Sequence, residues 1–382
     1  MRPFRKSSIS TVIVIDALDE CKDEETTSTI LSVLGRFVSE VPKVKFFITG
    51  RPEPRIQKGF RLPLLVDATD IFVLHEVELG RVNSDIRRFF EHKFSELAHD
   101  RHALDGWPTK GRLDLLCERA AGLFVYAVAT VKFLDHKNKD PKRQLDLLLQ
   151  SPESTVREGK TKITPNTTLD LLYMSILQEA FDDDDPEDDS EARSVLGAVI
   201  LATNPLSPST IAILLGLQAT DVFPLLSSVH SLLNLQDINS PVQPFHKSFP
   251  DFITDPTRCT NKRFWISPPD HHLGLLLSCL ELMNQTLERN MCNLPDAVRN
   301  CEVDDLEERK EQYINHALQY ACKSWHKHLI YRYTAHTARI TSALHDFLEK
   351  KFLFWLEVLS VFGDAREAVD ALGTATNWLE VS

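Results

Sequence analysis

The chain has 382 residues, 43% of them hydrophobic, and a formal net charge of −12. That length predicts roughly two to four domains with ample material for ordinary cores, and the acidic balance excludes a protein that grips nucleic acid by phosphate neutralisation, which needs clustered Lys and Arg. The seven cysteines (Cys21, Cys117, Cys259, Cys279, Cys292, Cys301 and Cys322) form no Cys-x-x-Cys pair, so they predict reduced thiols in a cytoplasmic protein rather than a disulfide framework or a zinc ribbon.

The basic start, Met1 to Lys6, is followed by an apolar run too short for a signal peptide, and that run ends in Asp16. No segment approaches the ~18 uninterrupted apolar residues of a membrane span, and the longest apolar stretch, Leu123 to Val131, predicts a core helix. Thr11-Val12-Ile13-Val14-Ile15 reads as a strand buried on both faces, because a half-solvated strand would alternate with polar residues. It runs into Asp16-Ala17-Leu18-Asp19-Glu20-Cys21, the pattern of a Walker B strand, with Asp16 at the carboxyl end where open α/β sheets place their ligands. In nucleoside-triphosphate hydrolases an acid there holds Mg²⁺ against the phosphates and a second acid orients the attacking water. A buried strand ending in an acidic turn is the plainer alternative.

A helical stripe over Glu24–Glu40 then predicts a crossover to a second strand, Val44–Thr49. Pro52, Pro54 and Pro63 forbid long helices ahead of a third expected strand, Ile71–Leu74. From Asn83 the pattern is helical, with Ile86, Phe89, Phe90 and Phe94 on one face, and a further helix is predicted from Arg112 to His136. Leu169–Ala180 predicts another. The acidic block from Phe181 to Asp189 reads as a solvated, extended linker that lacks the ligand spacing of an EF-hand loop.

Over 190–257, helices at Val195–Leu201, Ser209–Leu215 and Asp221–Leu233 and a hairpin joining Leu235–Ile238 to Val242–Phe245 predict a winged helix. Two cations (Arg193, Lys247) stand there against five acids (Glu191, Asp221, Asp237, Asp251, Asp255), a net of −3 that argues against use on DNA. Residues 258 to 382 read as helical, at Leu273–Arg289, Ile314–Leu329 and Leu344–Leu359. His271, His272, His326, His328 and His345 lack metal-ligand spacing and read as solvated or capping.

Residues 11 to 55 resemble the NACHT branch of the STAND signal-transduction ATPases in its fungal, receptor-like form. The resemblance rests on Asp16-Ala17-Leu18-Asp19-Glu20-Cys21 and on Gly50-Arg51-Pro52-Glu53-Pro54 after the second strand, and it continues in Ala121 to Ala127 and Pro244 to Phe252. It implies Asp16 as the metal acid, Asp19 and Glu20 as the catalytic acids, and Arg51 and His246 as nucleotide-contacting residues. His246 stands near the end of the wing, where it either reaches a β-phosphate or ties the wing to the following helix. Gly50 replaces the more usual Ser. Phe124 replaces a Pro that packs on adenine in many relatives, and it either stacks on a base or serves as a core residue.

The family's phosphate loop, Gly-x-x-x-x-Gly-Lys-Ser/Thr, does not occur in these 382 residues; Gly159-Lys160-Thr161 comes nearest but lacks the glycine five residues earlier. The expected fold is therefore an α/β remnant of a P-loop NTPase sheet, holding the Walker B and sensor strands and truncated before Walker B, followed by mostly α-helical domains including a winged helix. The expected divisions are a partial nucleotide-binding domain over 1–80, a small helical domain over 81–150, a linker helix and acidic loop over 151–189, the winged helix over 190–257 and a helical domain over 258–382. In this family the phosphate-loop strand lies between the sensor strand and the next one. Val12–Ile15 is therefore expected parallel beside Val44–Thr49, with Ile71–Leu74 standing apart or collapsed onto it.

The resemblance implies Mg²⁺ and ATP or ADP as cofactors, ATPase or GTPase activity in the intact family, and a chain that is inactive on its own without the loop. It further implies protein partners or self-association, without nucleic acid or membrane, in a nucleotide-dependent switch of innate self/non-self recognition and cell death. The competing reading is a degenerate interaction module that binds no nucleotide.

Overall fold

The computed structural model describes residues 11–21, 24–74, 77–101, 106–136, 139–150, 165–181, 186–295 and 299–381. The basic start, Gly159-Lys160-Thr161 and the aspartates at 182–185 lie outside them. The protein is mainly α-helical and divides into two compact units, 1–78 and 79–382.

In the first unit, β1 (Thr11–Ile15) pairs in parallel with β2 (Val44–Ile48), in the register Thr11↔Val44 to Ile15↔Ile48. The connection is a 3₁₀ turn (Leu18–Glu20) and the helix α1 (Glu24–Phe37), as a strand-helix-strand unit requires. Two short helices opened by proline, α2 (Pro54–Phe60) and α3 (Pro63–Val66), complete the unit. Its core is Leu18, Leu31, Ile56 and Leu65, with Ile15, Ile30, Leu34 and Ile48 packed against it.

Burial of β1 on both faces is not found. Val12, Ile13 and Val14 are 60%, 36% and 63% exposed, and Phe47 on β2 is 61% exposed. Among the described residues of the first unit only β1 and β2 pair, and the inward-facing Ile15 and Ile48 supply their contacts with the core. Ile71–Leu74 forms no strand, and Ile71, Phe72 and Leu74 are more than two-thirds exposed.

The second unit is built on one contiguous core that runs from Ile86 to Trp378. Its first helices are α4 (Leu79–Asp100), α5 (Lys110–Ala120), α6 (Phe124–Leu134), α7 (Pro141–Gln150) and α8 (Pro165–Ala180). The single helix expected over 112–136 is broken, because Ala121 and Gly122 adopt φ of 48° and 81°, the left-handed region that ends a helix. A Cβ on Gly122 would meet Leu79 Cδ1 at 2.8 Å, a second reason for glycine there. Phe124 opens α6 at 44% exposure, edge-on to Phe89, and is not the core ring expected. Asp170 on α8 accepts two bonds from Arg258, at 2.6 and 3.1 Å, a bidentate clasp across 88 residues.

The next helix, α9 (Pro186–Leu201), begins inside the acidic block, so the expected extended linker ends earlier, at a proline suited to a first helical turn. It leads to α10 (Pro208–Leu215), α11 (Ala219–Ser228), β3 (Leu233–Asn234) and β4 (Gln243–Pro244). Ser207 caps α10 by accepting from Thr210 N at 3.2 Å, and Gly216 ends it at φ 69°. The hairpin pairs Leu233 with Pro244 and Asn234 with Gln243, and Leu206 bridges Val242. The first strand thus lies two residues earlier than the apolar pattern predicts, because Leu233 takes the buried position.

After α12 (Ser248–Ile253) come α13 (Pro268–Thr286), α14 (Leu306–Tyr313), α15 (His316–Ser324), α16 (Thr337–Lys350), α17 (Phe352–Phe362) and α18 (Arg366–Val381). The helix expected over 344–359 is two helices meeting at Lys351, and both apolar stripes reach the core through Phe347 and Trp355. The histidines divide. His345 is exposed beside Glu349, as expected, but His326 and His328 are buried. Tyr320 OH accepts from Thr203 N and stands 2.8 Å from His328 Nε2, and His328 Nδ1 stands 2.8 Å from His272 Nδ1. The arrangement with every bond made has Tyr320 donating to a neutral His328, which donates to a neutral His272.

Candidate functional site

The residues singled out in the first unit meet where β1 and β2 end. The ladder runs one step past the strands, with Thr49 N donating to Ile15 O and Leu18 N donating to Thr49 O, both at 2.9 Å. Between these bonds the chain turns through Ala17, which sits at φ 53°, ψ 52°, a conformation that costs a non-glycine residue about 1 kcal/mol or more. Thr49 is the residue the sequence reading missed. Its hydroxyl accepts from Ala17 N at 2.9 Å and donates to the Asp16 carboxylate, fixing the turn and the acid together. A threonine ending the neighbouring parallel strand, level with the first acid, was the signal available.

Asp19 is 4% exposed and tied to the segment that follows β2. Its Oδ1 accepts from Arg51 N at 3.0 Å, its Oδ2 lies 3.7 Å from Arg51 Nε, and its backbone carbonyl accepts from Arg55 at 2.7 Å. Arg55 is held in turn by Glu53, at 2.9 Å. A Cβ on Gly50 would lie 3.5 Å from Asp19 N, ordinary van der Waals contact, so the approach does not itself require glycine. Asp16 and Glu20 are both exposed. The structure therefore brings Asp16, Asp19 and Arg51 into one bonded cluster and leaves Glu20 on its solvent side.

His246 belongs to the second unit and follows β4. Its Nδ1 accepts from Ser248 N at 3.2 Å and lies 2.6 Å from Ser248 Oγ, which is 2.7 Å from Tyr173 OH. An accepting Nδ1 assigns the proton to Nε2. Tyr173 is buried against Phe249 and Phe252, and that burial pushes its pKa up to about 12. His246 is thus bonded to Ser248 at the start of α12, and through it to Tyr173 of α8, while its ring stays exposed.

Among the described residues no three His, Cys, Asp or Glu side chains converge to hold a metal ion. The donor set at β1 fits Mg²⁺ only in the form in which one carboxylate, Asp16, shares the ion with phosphates and water. No helix among the described residues is long and apolar enough to cross a membrane.

Residues 3–51, which contain this cluster, match the family model described as Nephrocystin 3, N-terminal. The chain is also similar to the vegetative incompatibility protein HET-E-1 of Podospora anserina, 24% identical over 395 residues that cover 95% of this chain and 26% of that protein. The chain thus spans about a quarter of the length of the curated relative it matches. No solved structure matches it significantly.

Proposed function

We propose that this chain is the regulatory part of a fungal signalling protein of the NACHT type, in which a bound nucleotide switches contacts with protein partners or further copies of the chain. The carrying observation is the cluster at the ends of two parallel strands, where Asp16 is oriented by Thr49 and Arg51 is held by a buried Asp19. Supporting it are the similarity along nearly the whole chain to a vegetative incompatibility protein and, in the second unit, the order of helices and hairpin that a winged helix would have.

In this reading Asp16 is the metal acid, and bound Mg²⁺ would supply charge neutralisation to ATP or ADP phosphates. Arg51 changes partner. Its backbone N–H stays on Asp19, while its half-exposed guanidinium leaves a long ion pair, worth less than about 1 kcal/mol, for a terminal phosphate. With Asp19 committed to this bridge, Glu20 is the acid placed to orient a water.

A second reading, an interaction module that holds no nucleotide, is favoured by the lack of any Gly-x-x-x-x-Gly-Lys-Ser/Thr in these 382 residues. Calorimetry separates the two. This chain should show no Mg-ATP binding in the low micromolar range (about 8 kcal/mol), and a phosphate loop joined ahead of β1 should restore binding that Asp16→Asn removes. Restored binding that survives Asp16→Asn would refute the role of Asp16, and no binding in either form leaves the second reading standing.

A further inference from the structure

Inside the second unit, a cleft of about 700 Å³ opens between the end of α6 and the β3–β4 hairpin. Its polar wall is made by Lys132, His136, His230, Asn234, Gln236 and Gln243 together with Ser227 and one acid, Asp135, and Phe223 and two leucines are its apolar part. The volume lies in the range of small-molecule sites.

The charges around it are unevenly matched. Arg101 is taken by the backbone carbonyls of Asp135, His136 and Lys139 and lies 3.8 Å from the Asp135 carboxylate. Lys139 is taken by Glu179 at 3.0 Å. Lys132 has no carboxylate partner among the described residues; its Nζ rests 3.6 Å from the centre of the Phe245 ring. Burial holds its pKa below the ordinary lysine value. A ring face replaces only part of the water an ammonium loses, so this cation remains short of a counter-charge.

The imidazoles of the wall are held by neighbours. Both ring nitrogens of His230 lie on carbonyl oxygens, those of Ser227 and of Lys132 itself, at 3.1 and 3.0 Å, and its ring meets His136 edge-on at 4.9 Å. The His136 pKa is lowered first by burial and then by His230, Lys139 and Arg101. Burial, the first of these causes, opposes a charge of either sign; only the nearby cations Lys139 and Arg101 favour an anion.

We propose that this cleft is a seat for a small oxyanion, a phosphate ester or carboxylate, in which Lys132 supplies the charge and the amides of Gln236 and Gln243 supply neutral hydrogen bonds. Asn234 closes the same rim. The anion would lie against a partly buried ammonium, where an ion pair is stronger than on an open surface. None of Asp16, Arg51 or His246 takes part, so the seat stands apart from the nucleotide reading above.

The test is acylation of the full chain by an amine-reactive ester, resolved lysine by lysine by mass spectrometry, in chloride, inorganic phosphate or succinate at equal ionic strength. Occupancy should slow Lys132 about fivefold once the anion is at about four times its Kd, and leave exposed Lys58 unchanged. Slowing by phosphate alone assigns phosphate esters, by succinate alone carboxylates, and by both oxyanions generally; equal Lys132 rates in all three salts overturn the proposal. Protection that vanishes in Asp16→Asn would make it depend on the cluster at the end of β1 and also overturn it. Calorimetry with phosphate on Lys132→Met should lose the binding heat of the unaltered chain, and an unchanged heat would overturn it again.

Discussion

Val14 and Val195 stand in comparably apolar surroundings in the sequence, yet Val14 is 63% exposed and Val195 is fully buried. The difference lies in what each backbone can recruit. A strand presents two faces and two edges, and in the first unit the described elements fill only the face carrying Ile15 and Ile48, above Leu18 and Leu31. A helix in a bundle needs cover for one stripe, and in the second unit the neighbours of α9 provide it. An apolar run therefore reports that cover is wanted, not that it is present.

The sharpest contrast comes from truncation in the second unit. Trp355 is fully buried, edge-on to Trp325 and Phe347, and its indole N–H donates to Cys322 O at 2.9 Å. Trp355→Ala should cost about 3–5 kcal/mol, read by urea denaturation, since it opens a cavity and orphans a carbonyl. A cost below about 1 kcal/mol would mean that this core collapses around the gap as an open surface does.

Next in size is the pH dependence the buried histidines impose. Burial holds His328 at a pKa of about 3 and His326 at about 4, both below the ordinary value for the unfolded chain. Acid therefore protonates the unfolded chain first. Their contribution is complete above about pH 7.5 and shrinks as pH falls through 6.5 toward 4, by roughly 2 kcal/mol per histidine at pH 5. Thermal melts at pH 7.5 and 5 should separate accordingly. The His328→Asn chain should lose about half of that separation, and an undiminished one would exclude His328 as its source.

The same comparison marks what the sequence made legible. The strand pair was readable, because a β-branched run of five residues followed by a helix and a second, largely apolar run admits few topologies, and so was the helix expected over Ser209–Leu215. The breaks at Ala121 and Lys351 were not, since apolar spacing continues across them and only the backbone turns. His328 was read as solvated because its partners, Tyr320 and His272, lie 8 and 56 residues away. At the site, Asp16, Asp19 and Arg51 stood out by residue type, whereas Thr49 mattered through a register that only the paired strands reveal.

The smallest expected effect tests the exposed side of the comparison. Val14→Thr keeps the branched Cβ that suits a strand and changes one methyl to a hydroxyl, so β-propensity stays nearly constant and burial decides the outcome. At 63% exposure the hydroxyl should find water, and stability should move by less than about 0.5 kcal/mol. Ile15→Ala supplies the scale from the same strand. Ile15 packs against the small core of Leu18, Leu31, Ile56 and Leu65, so its loss should cost about 1–2 kcal/mol at partial burial. If Val14→Thr instead costs as much as Ile15→Ala in denaturant melts, a hydroxyl there is losing its water, and the outer face of β1 is covered in solution.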